Sequence, residues 1–404
     1  MKKVAILGLG REGRSVLKFL KRSPKYKSVQ ISALDQKQGP NYLKNLSDFD
    51  LVFRSPGVPY NLPEIQRAIQ AGVKFSSATK LFFDLCKAKI IGVTGTKGKG
   101  TTSTLIYKIL KHCGWNALLA GNIGKSPLAI LPKIRKNTVV ILELSSFQLQ
   151  DLTKSPQIAV ITDVFPDHMD VHKSMREYLQ AKTNICRYQK KSDAVFYFQD
   201  NEQSARIAQK SRGTKIGITG NPFHLKKNHL LASTVAAYLG CPNEKICKTL
   251  KNFGGLEHRL EFVRKIGGVS FYNDSASTNP QTTSAAVLSL HEPIILIAGG
   301  KDKNLDYRPL ADAIKKSGNV KQVILLGENK EKVRGVMSNL KLVIKEVSNL
   351  KLAANLAYKF AKRLIAAYQL PVTILFSPGA ASFDMFNDYA DRGKQFKRLV
   401  KKIK

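Results

Sequence analysis

The sequence predicts an α/β protein of three successive domains, each a mainly parallel sheet flanked by helices. Two observations carry this prediction. Short apolar runs recur along the chain, each meeting a glycine or proline turn and followed by helical periodicity. This strand–glycine–helix unit also restarts twice, which sets the expected domains at 1–88, 89–256 and 257–404.

In the first block VAILGLGREGRS reads as a buried strand, a glycine turn and a helix, a second strand ends at Asp35, and LVFRSPGVP supplies a third. The apolar start is cut short by REGR, so it reads as a strand rather than a secretory leader. The second block opens at KIIGVTGTKGKGTT and continues through the apolar runs VVILELSS and IAVITDVF. The third shows PIILIAGG, VKQVILLG and VTILFSPG, with helical stretches PLADAIKKS and LKLAANLAYKFAKRLIAAY between them.

At 404 residues the chain is too long for one ordinary core. Its 66 Lys+Arg against 29 Asp+Glu give a formal charge of +37. That balance suits either phosphate-rich partners or a basic surface that serves solubility. The lysines are scattered, and no aromatic-interleaved basic motif appears, so nucleic acid is not the expected partner. The 5 cysteines form no CxxC pair, which argues against a zinc site or disulfide framework and fits a reducing cytoplasm. No apolar run is long enough to span a bilayer.

Gly8-Leu9-Gly10-Arg11-Glu12-Gly13 lies between a strand and a helix, with Asp35 ending the next strand. This is the dinucleotide fingerprint in its proper context, although a ligand-free tight turn has the same outline. A second phosphate loop begins before a full dinucleotide fold could be completed, so one nucleotide moiety is the most this block would hold.

That second loop, GVTGTKGKGTT, is the stronger signal. The amides of Gly95, Thr96, Lys97, Gly98 and Lys99 are placed to cradle phosphate oxygens, with the Lys99 ammonium as a point charge. A phosphate loop normally carries Ser or Thr directly after its lysine; here Gly100 fills that position and the hydroxyl comes at Thr101. Glu143 ends a strand, where a carboxylate faces the phosphate crevice. Asp163, Asp167, His168, Asp170 and His172 cluster in TDVFPDHMDVH, either as a metal or catalytic group or as a polar loop before a helix opened by Ser174.

Taken together, these motifs resemble the Mur ligases, the ATP-dependent amino-acid-adding enzymes of peptidoglycan synthesis. The likeness runs through GLGREG, SPGVP, GTKGK, GNIG, ELSSFQL, DHMD, GLEHRLE, NDSASTNP, GGKDK and SPGAASFDMF, and the DNPR motif of the diaminopimelate-adding branch is missing. It is nearest to the branch that adds D-glutamate. The resemblance implies a Rossmann-like first domain, a P-loop ATPase as the second and a Rossmann-like third. It implies ATP with two Mg²⁺ ions as cofactors, UDP-N-acetylmuramoyl-L-alanine and D-glutamate as substrates, and a cytoplasmic monomer with no membrane insertion.

Residue by residue, the resemblance assigns Lys99 to the β/γ-phosphates and Thr101 with Glu143 to the first Mg²⁺. His168 would hold the second ion, helped by Lys182 if that lysine is carbamylated; an ordinary surface lysine on a helix is the alternative. Arg11, Glu12, Asp35, Gln36, Lys37, Ser55, Pro56 and Gly57 match the UDP-binding stretches, and Asn122, Ser145 and Gln148 match the muramoyl-peptide site. Arg259 and Asp274 match nucleotide-contacting positions, while Thr278, Lys303, Ser382, Phe383 and Tyr389 match the D-glutamate pocket. The chain departs from the family at Ala276, where some members have lysine, and at Lys227 and Leu231 in a degraded His-Asn-x-x-Asn pattern. The segment just before that pattern is also shortened. A sister ligase, a folylpolyglutamate synthase, an NAD-dependent dehydrogenase and a non-catalytic nucleotide-binding protein are the competing readings.

Overall fold

In the computed structural model, residues 2–167, 171–172, 174–219 and 227–403 are described. His168, Asp170 and the shortened segment at 220–226 therefore lie outside the described residues. The secondary structure resolves into three sheets. The first contains β1 (Lys3–Leu7), β2 (Gln30–Leu34), β3 (Leu51–Arg54) and β4 (Lys74–Ser76), all parallel, in the order β2-β1-β3-β4.

The central sheet contains β5 (Lys89–Thr94), β6 (Asn116–Gly121), β7 (Thr138–Glu143), β8 (Ile158–Ile161), β9 (Ala194–Phe198) and β10 (Thr214–Ile218). It is again all parallel, in the order β10-β9-β8-β5-β7-β6. Strands β7, β8 and β9 are buried along their whole length, as continuous apolar runs covered by helices on both faces require.

The third sheet contains β11 (Glu261–Ile266), β12 (Val269–Asn273), β13 (Ile294–Ala298), β14 (Val320–Leu325), β15 (Val343–Glu346) and β16 (Val372–Phe376). Its order is β11-β12-β16-β13-β14-β15, parallel except for the β11–β12 hairpin at one edge. The strands that the sequence pattern misses are mostly edge or short ones, such as β4, β10, β11 and β15. Their exposed faces carry polar residues and break the apolar run.

The chain forms two compact units, 1–253 and 254–404. Within the first unit a single apolar cluster runs from Ile6, Phe53 and Phe82 beside the first sheet to Val140, Leu142 and Ile161 of the central one. The first two sheets thus share a core. In the second unit, apolar clusters cover the two faces of the third sheet. Among the described residues no helix is long and apolar enough to cross a membrane.

This topology decides where sites fall. In parallel sheets, ligands bind beyond the carboxyl ends of strands where the strand order reverses. Those points lie at β1, flanked by β2 and β3; at β5, flanked by β7 and β8; and at β13, flanked by β14 and β16. The glycine loops GLGREG, GTKGK and GGKDK follow these three strands.

Candidate active site

Beyond Thr94 the chain turns through Gly95–Gly98 into the helix Lys99–His112. The front of the loop is fastened to the end of β8. Thr96 and Lys97 donate their amides to the Asp163 carbonyl at 2.7 and 3.3 Å, and the Thr162 hydroxyl donates to the Lys97 carbonyl at 2.6 Å. Of the amides expected to form the cradle, those of Thr96 and Lys97 are therefore already paired within the protein. The amides of Gly98, Gly100 and Thr101 begin the helix, where no carbonyl one turn earlier can accept them, and these suit an anion. Gly98 adopts φ +88°, and a Cβ there would meet Asn228 Oδ1 at 2.2 Å, so only glycine fits. Lys99 Nζ folds back to donate to the Thr96 carbonyl at 3.0 Å.

Lys182 lies in the helix Met175–Thr183, whose N-cap Ser174 accepts from the Glu177 amide. It is not a surface lysine: it is 1% exposed, and its Nζ donates to the Gly95 carbonyl at 2.8 Å. Burial, with Lys99 nearby, pulls its ammonium well below the usual lysine range, and Asp167 opposes this only in part. The Nζ lies 4.5 Å from the centre of the Tyr178 ring. Tyr178 in turn shares a 2.9 Å hydrogen bond with Thr96 Oγ1, and burial pushes its phenol up to about 12.

Glu143 ends β7 in register with Val93 of β5 and Gly121 of β6, and its Oε1 accepts from Asn122 Nδ2 at 3.1 Å. Ser145 and Gln148 close a capping box over the turn Ser146–Leu149. The Gln148 amide then donates to buried Glu12, whose carboxyl is pushed up by burial. Arg11 donates to the carbonyls of Gly121 at 2.9 Å and of Asn122 and Gly124 at 3.1 Å. Arg11, Glu12, Asn122, Glu143, Ser145 and Gln148 are thereby brought into one network.

Asp35 accepts from the Leu9 amide at 2.6 Å and the Lys37 amide at 3.1 Å, bonds that hold its carboxyl below the usual range. Gln36 and Lys37 lie in the short helical turn that Asp35 caps. Ser55 donates to the Gly8 carbonyl at 2.6 Å, setting the turn with Pro56 and Gly57 beside the first glycine loop. Gly13 is packed so closely that a Cβ would meet the Gly8 carbonyl at 1.9 Å.

The acidic cluster divides. Asp163 Oδ1 pairs with Lys227 Nζ at 2.8 Å, and Lys227 also reaches Asp200 at 2.9 Å. His172 is buried, with Nε2 3.0 Å from Ser146 Oγ and its ring stacked on Phe147 at 5.2 Å. Leu231, at the family's second Asn position, is fully buried in the apolar core on one face of the central sheet. Among the described residues no group of three or more His, Cys, Asp or Glu side chains is arranged to hold a metal. The oxygen donors Glu143 and Thr101 still suit Mg²⁺, which takes one or two protein oxygens and fills its shell with water and phosphate.

In the second unit Arg259 is presented between two left-handed residues, His258 at φ +66° and Leu260 at φ +42°. Asp274 holds this turn. One of its oxygens accepts from the Leu260 amide at 3.0 Å and the other from the Ser277 and Ser377 hydroxyls at 2.6 Å. Burial raises its carboxyl above the usual range. Thr278 and Ala276 lie in the loop after β12, while Ser382 is buried in the loop after β16. Phe383 and Tyr389 are exposed, with Lys303 Nζ 6.0 Å from the Phe383 ring centre.

Residues 93–263 match the Mur ligase middle domain, and residues 258–365 match the glutamate ligase domain of the same family. The UDP-N-acetylmuramoylalanine–D-glutamate ligase of Acetivibrio thermocellus is 37% identical, an alignment covering 100% of this chain and 97% of the relative. The chain belongs to the Mur ligase family. The ligase of the same name from Clostridium kluyveri is 34% identical, covering 99% of this chain and 96% of that one. Among solved structures, the UDP-N-acetylmuramate-alanine ligase MurC of Thermotoga maritima aligns with a TM-score of 0.58 at 17% identity, covering 99% of each chain. MurF of Thermotoga maritima in complex with ADP aligns with a TM-score of 0.56 at 16% identity, covering 100% of this chain and 96% of that one. At such identities these two alignments speak to the Mur ligase fold alone.

Sequence reading misses two buried arginines of this Mur ligase. Arg392 is 1% exposed and donates to the carbonyls of Ser275, Ala380 and Ala381, tying NDSASTNP to SPGAASF. Arg54 is 2% exposed and bonds to the carbonyls of Val58 and Phe147. In the sequence each sits in an ordinary basic chain, and nothing local marks either as buried.

Proposed function

We propose that this chain is the ATP-dependent ligase that joins D-glutamate to the L-alanyl carboxylate of UDP-N-acetylmuramoyl-L-alanine in peptidoglycan synthesis. The observation that carries this reading is the full-length similarity to D-glutamate ligases. The reaction transfers the γ-phosphate of ATP to the carboxylate. The amine of D-glutamate then attacks the acyl phosphate, and phosphate leaves from the tetrahedral intermediate. Bringing these anions together is the physical difficulty, and fixed positive charge and loop amides offset it.

In this reading the helix-start amides of Gly98, Gly100 and Thr101, with Lys99, orient the phosphates. Glu143 and Thr101 would hold one Mg²⁺, and His168 with Lys182 a second. Bound Mg²⁺ supplies neutralising charge to the phosphate oxygens. Burial shifts Lys182 toward the neutral amine, the form that takes up CO₂. The network of Arg11, Glu12, Asn122, Ser145 and Gln148, with the Asp35–Lys37 and Ser55–Gly57 turns, would bind the UDP-muramoyl peptide. Arg259 would reach the nucleotide, with Asp274 holding its turn, and Thr278, Lys303, Ser382, Phe383 and Tyr389 would receive the amino acid. We assign the corresponding domains to 1–88, 89–256 and 257–404, and the enzyme to the cytoplasm as a monomer.

Phosphate release with ATP, Mg²⁺ and UDP-N-acetylmuramoyl-L-alanine tests this directly, comparing D-glutamate with L-glutamate, L-lysine and no amino acid. Release that requires D-glutamate is expected. Release with a different amino acid would move the chain to a sister activity, and none at all would remove the ligase reading.

A further inference from the structure

Arg54 ends β3 and directly precedes the Ser55–Gly57 turn. Its guanidinium is buried and divided between two segments. Nη1 donates to the Val58 carbonyl at 2.7 Å, closing the Ser55–Val58 turn over itself. Nη2 donates to the Phe147 carbonyl at 3.0 Å, in the middle of the Ser145–Gln148 turn and 93 residues away in sequence. The ring of Tyr60 lies 5.2 Å from the guanidinium carbon.

Arg54's charge partner is Asp151, 3.7 Å away and also buried. Among the described residues neither Asp151 carboxylate oxygen has a hydrogen-bond donor, and Arg54 Nε has no acceptor. A buried pair held this loosely recovers little of its desolvation cost, so stability is a poor reason for it. What the guanidinium does supply is location: its two carbonyl bonds set the spacing between two turns. The Gln148–Glu12 bond ties the second of these turns to the first glycine loop from another side.

We propose that Arg54 is a positioning residue that holds the UDP-binding turn and the muramoyl-peptide turn at the separation the intact substrate spans. The inference rests on the substrate assignment of those two turns made above. It carries a distinctive consequence. UDP alone would engage only the loops of the first sheet and would sense at most a loosening of the Ser55–Val58 turn, whereas UDP-N-acetylmuramoyl-L-alanine reaches both turns and would also sense the loss of their spacing.

The test uses the full chain and calorimetric binding of two probes, UDP and UDP-N-acetylmuramoyl-L-alanine. The main variant is Arg54→Met with Asp151→Leu, because replacing both members of a buried pair by apolar residues usually preserves folding. Its Kd for UDP should stay within about twofold of wild type, while Kd for the complete substrate should rise about tenfold, as expected for a lost charge-assisted hydrogen bond. Arg54→Lys, which keeps the charge beside Asp151 but cannot serve both carbonyls, should show the same selectivity to a smaller degree. It decides the matter if the double variant does not fold. Unchanged affinity for both probes overturns the proposal, and so does equal weakening of both, which would mark general damage. A wild type that binds UDP but not the muramoyl peptide would instead overturn the substrate assignment on which the inference rests.

Discussion

Lys182 Nζ donates to the carbonyl of Gly95 at 2.8 Å, joining the buried side of its helix to the opening of the phosphate loop. Two roles meet in that bond: it fixes the loop's entry, and it holds an amine whose charged form is disfavoured by burial and by Lys99. Replacing Lys182 with Ala should lower kcat by about 10–100-fold, as loss of a group supporting a metal site does. Enzyme stripped of CO₂ should lose activity and recover it on addition of bicarbonate. Full activity in rigorously CO₂-free buffer would rule out the carbamate while leaving the structural bond intact.

The loop's geometry makes a second prediction. Gly98→Ala forces a side chain into a left-handed position and against Asn228, so ATP binding should fail even if the protein folds. Thr101→Ser keeps the hydroxyl and should retain turnover, whereas Thr101→Ala should raise the Mg²⁺ concentration needed for half-maximal phosphate release. An unchanged Mg²⁺ titration in Thr101→Ala would leave the metal to Glu143 alone.

Asp274 allows two roles to be separated. Its carboxylate already binds the Leu260 amide and two hydroxyls, so Asp274→Ala should destabilise unit 254–404 by about 1–3 kcal/mol in urea unfolding. The turn carrying Arg259 should loosen with it, raising the KM for ATP. A rise in that KM with no change in stability would point to direct contact with the nucleotide instead.

Glu12 gives a pH signature. Burial raises its carboxyl above the usual value, so the folded state disfavours its charged form. The native state binds the proton more tightly than the unfolded one. The stability contributed by this group is therefore complete below the unfolded carboxyl pKa and is lost as pH rises through the folded value. Glu12→Gln, which keeps an acceptor for Gln148, should raise the melting temperature at pH 7.5 by roughly 2–4 °C. That gain should shrink toward pH 4; a gain independent of pH would assign it to packing.

Much of the site is legible because its parts are local. GTKGK lies between one strand and one helix, Asp35 ends the strand beside GLGREG, and the Ser145–Gln148 capping box closes within four residues. Each needs only the chain near it, so residue type and spacing are enough. The fold class is legible for the same reason: continuous apolar runs followed by glycine turns and helical periodicity leave few alternatives to parallel sheets.

What only the tertiary structure decides is which distant groups share one environment. Whether Lys182 is a surface lysine or a site residue is open from spacing alone; packing buries its side of the helix and brings it to Gly95, 87 residues away in sequence. Two amides that the sequence places in the phosphate cradle, those of Thr96 and Lys97, are taken by the Asp163 carbonyl. Arg54 and Arg392 gain meaning only from carbonyls far along the chain. A sequence sets the local conformational preference and the identity of each donor. Desolvation, and the partner each donor finds, are properties of the packed interior, and there the chemistry of this site is settled.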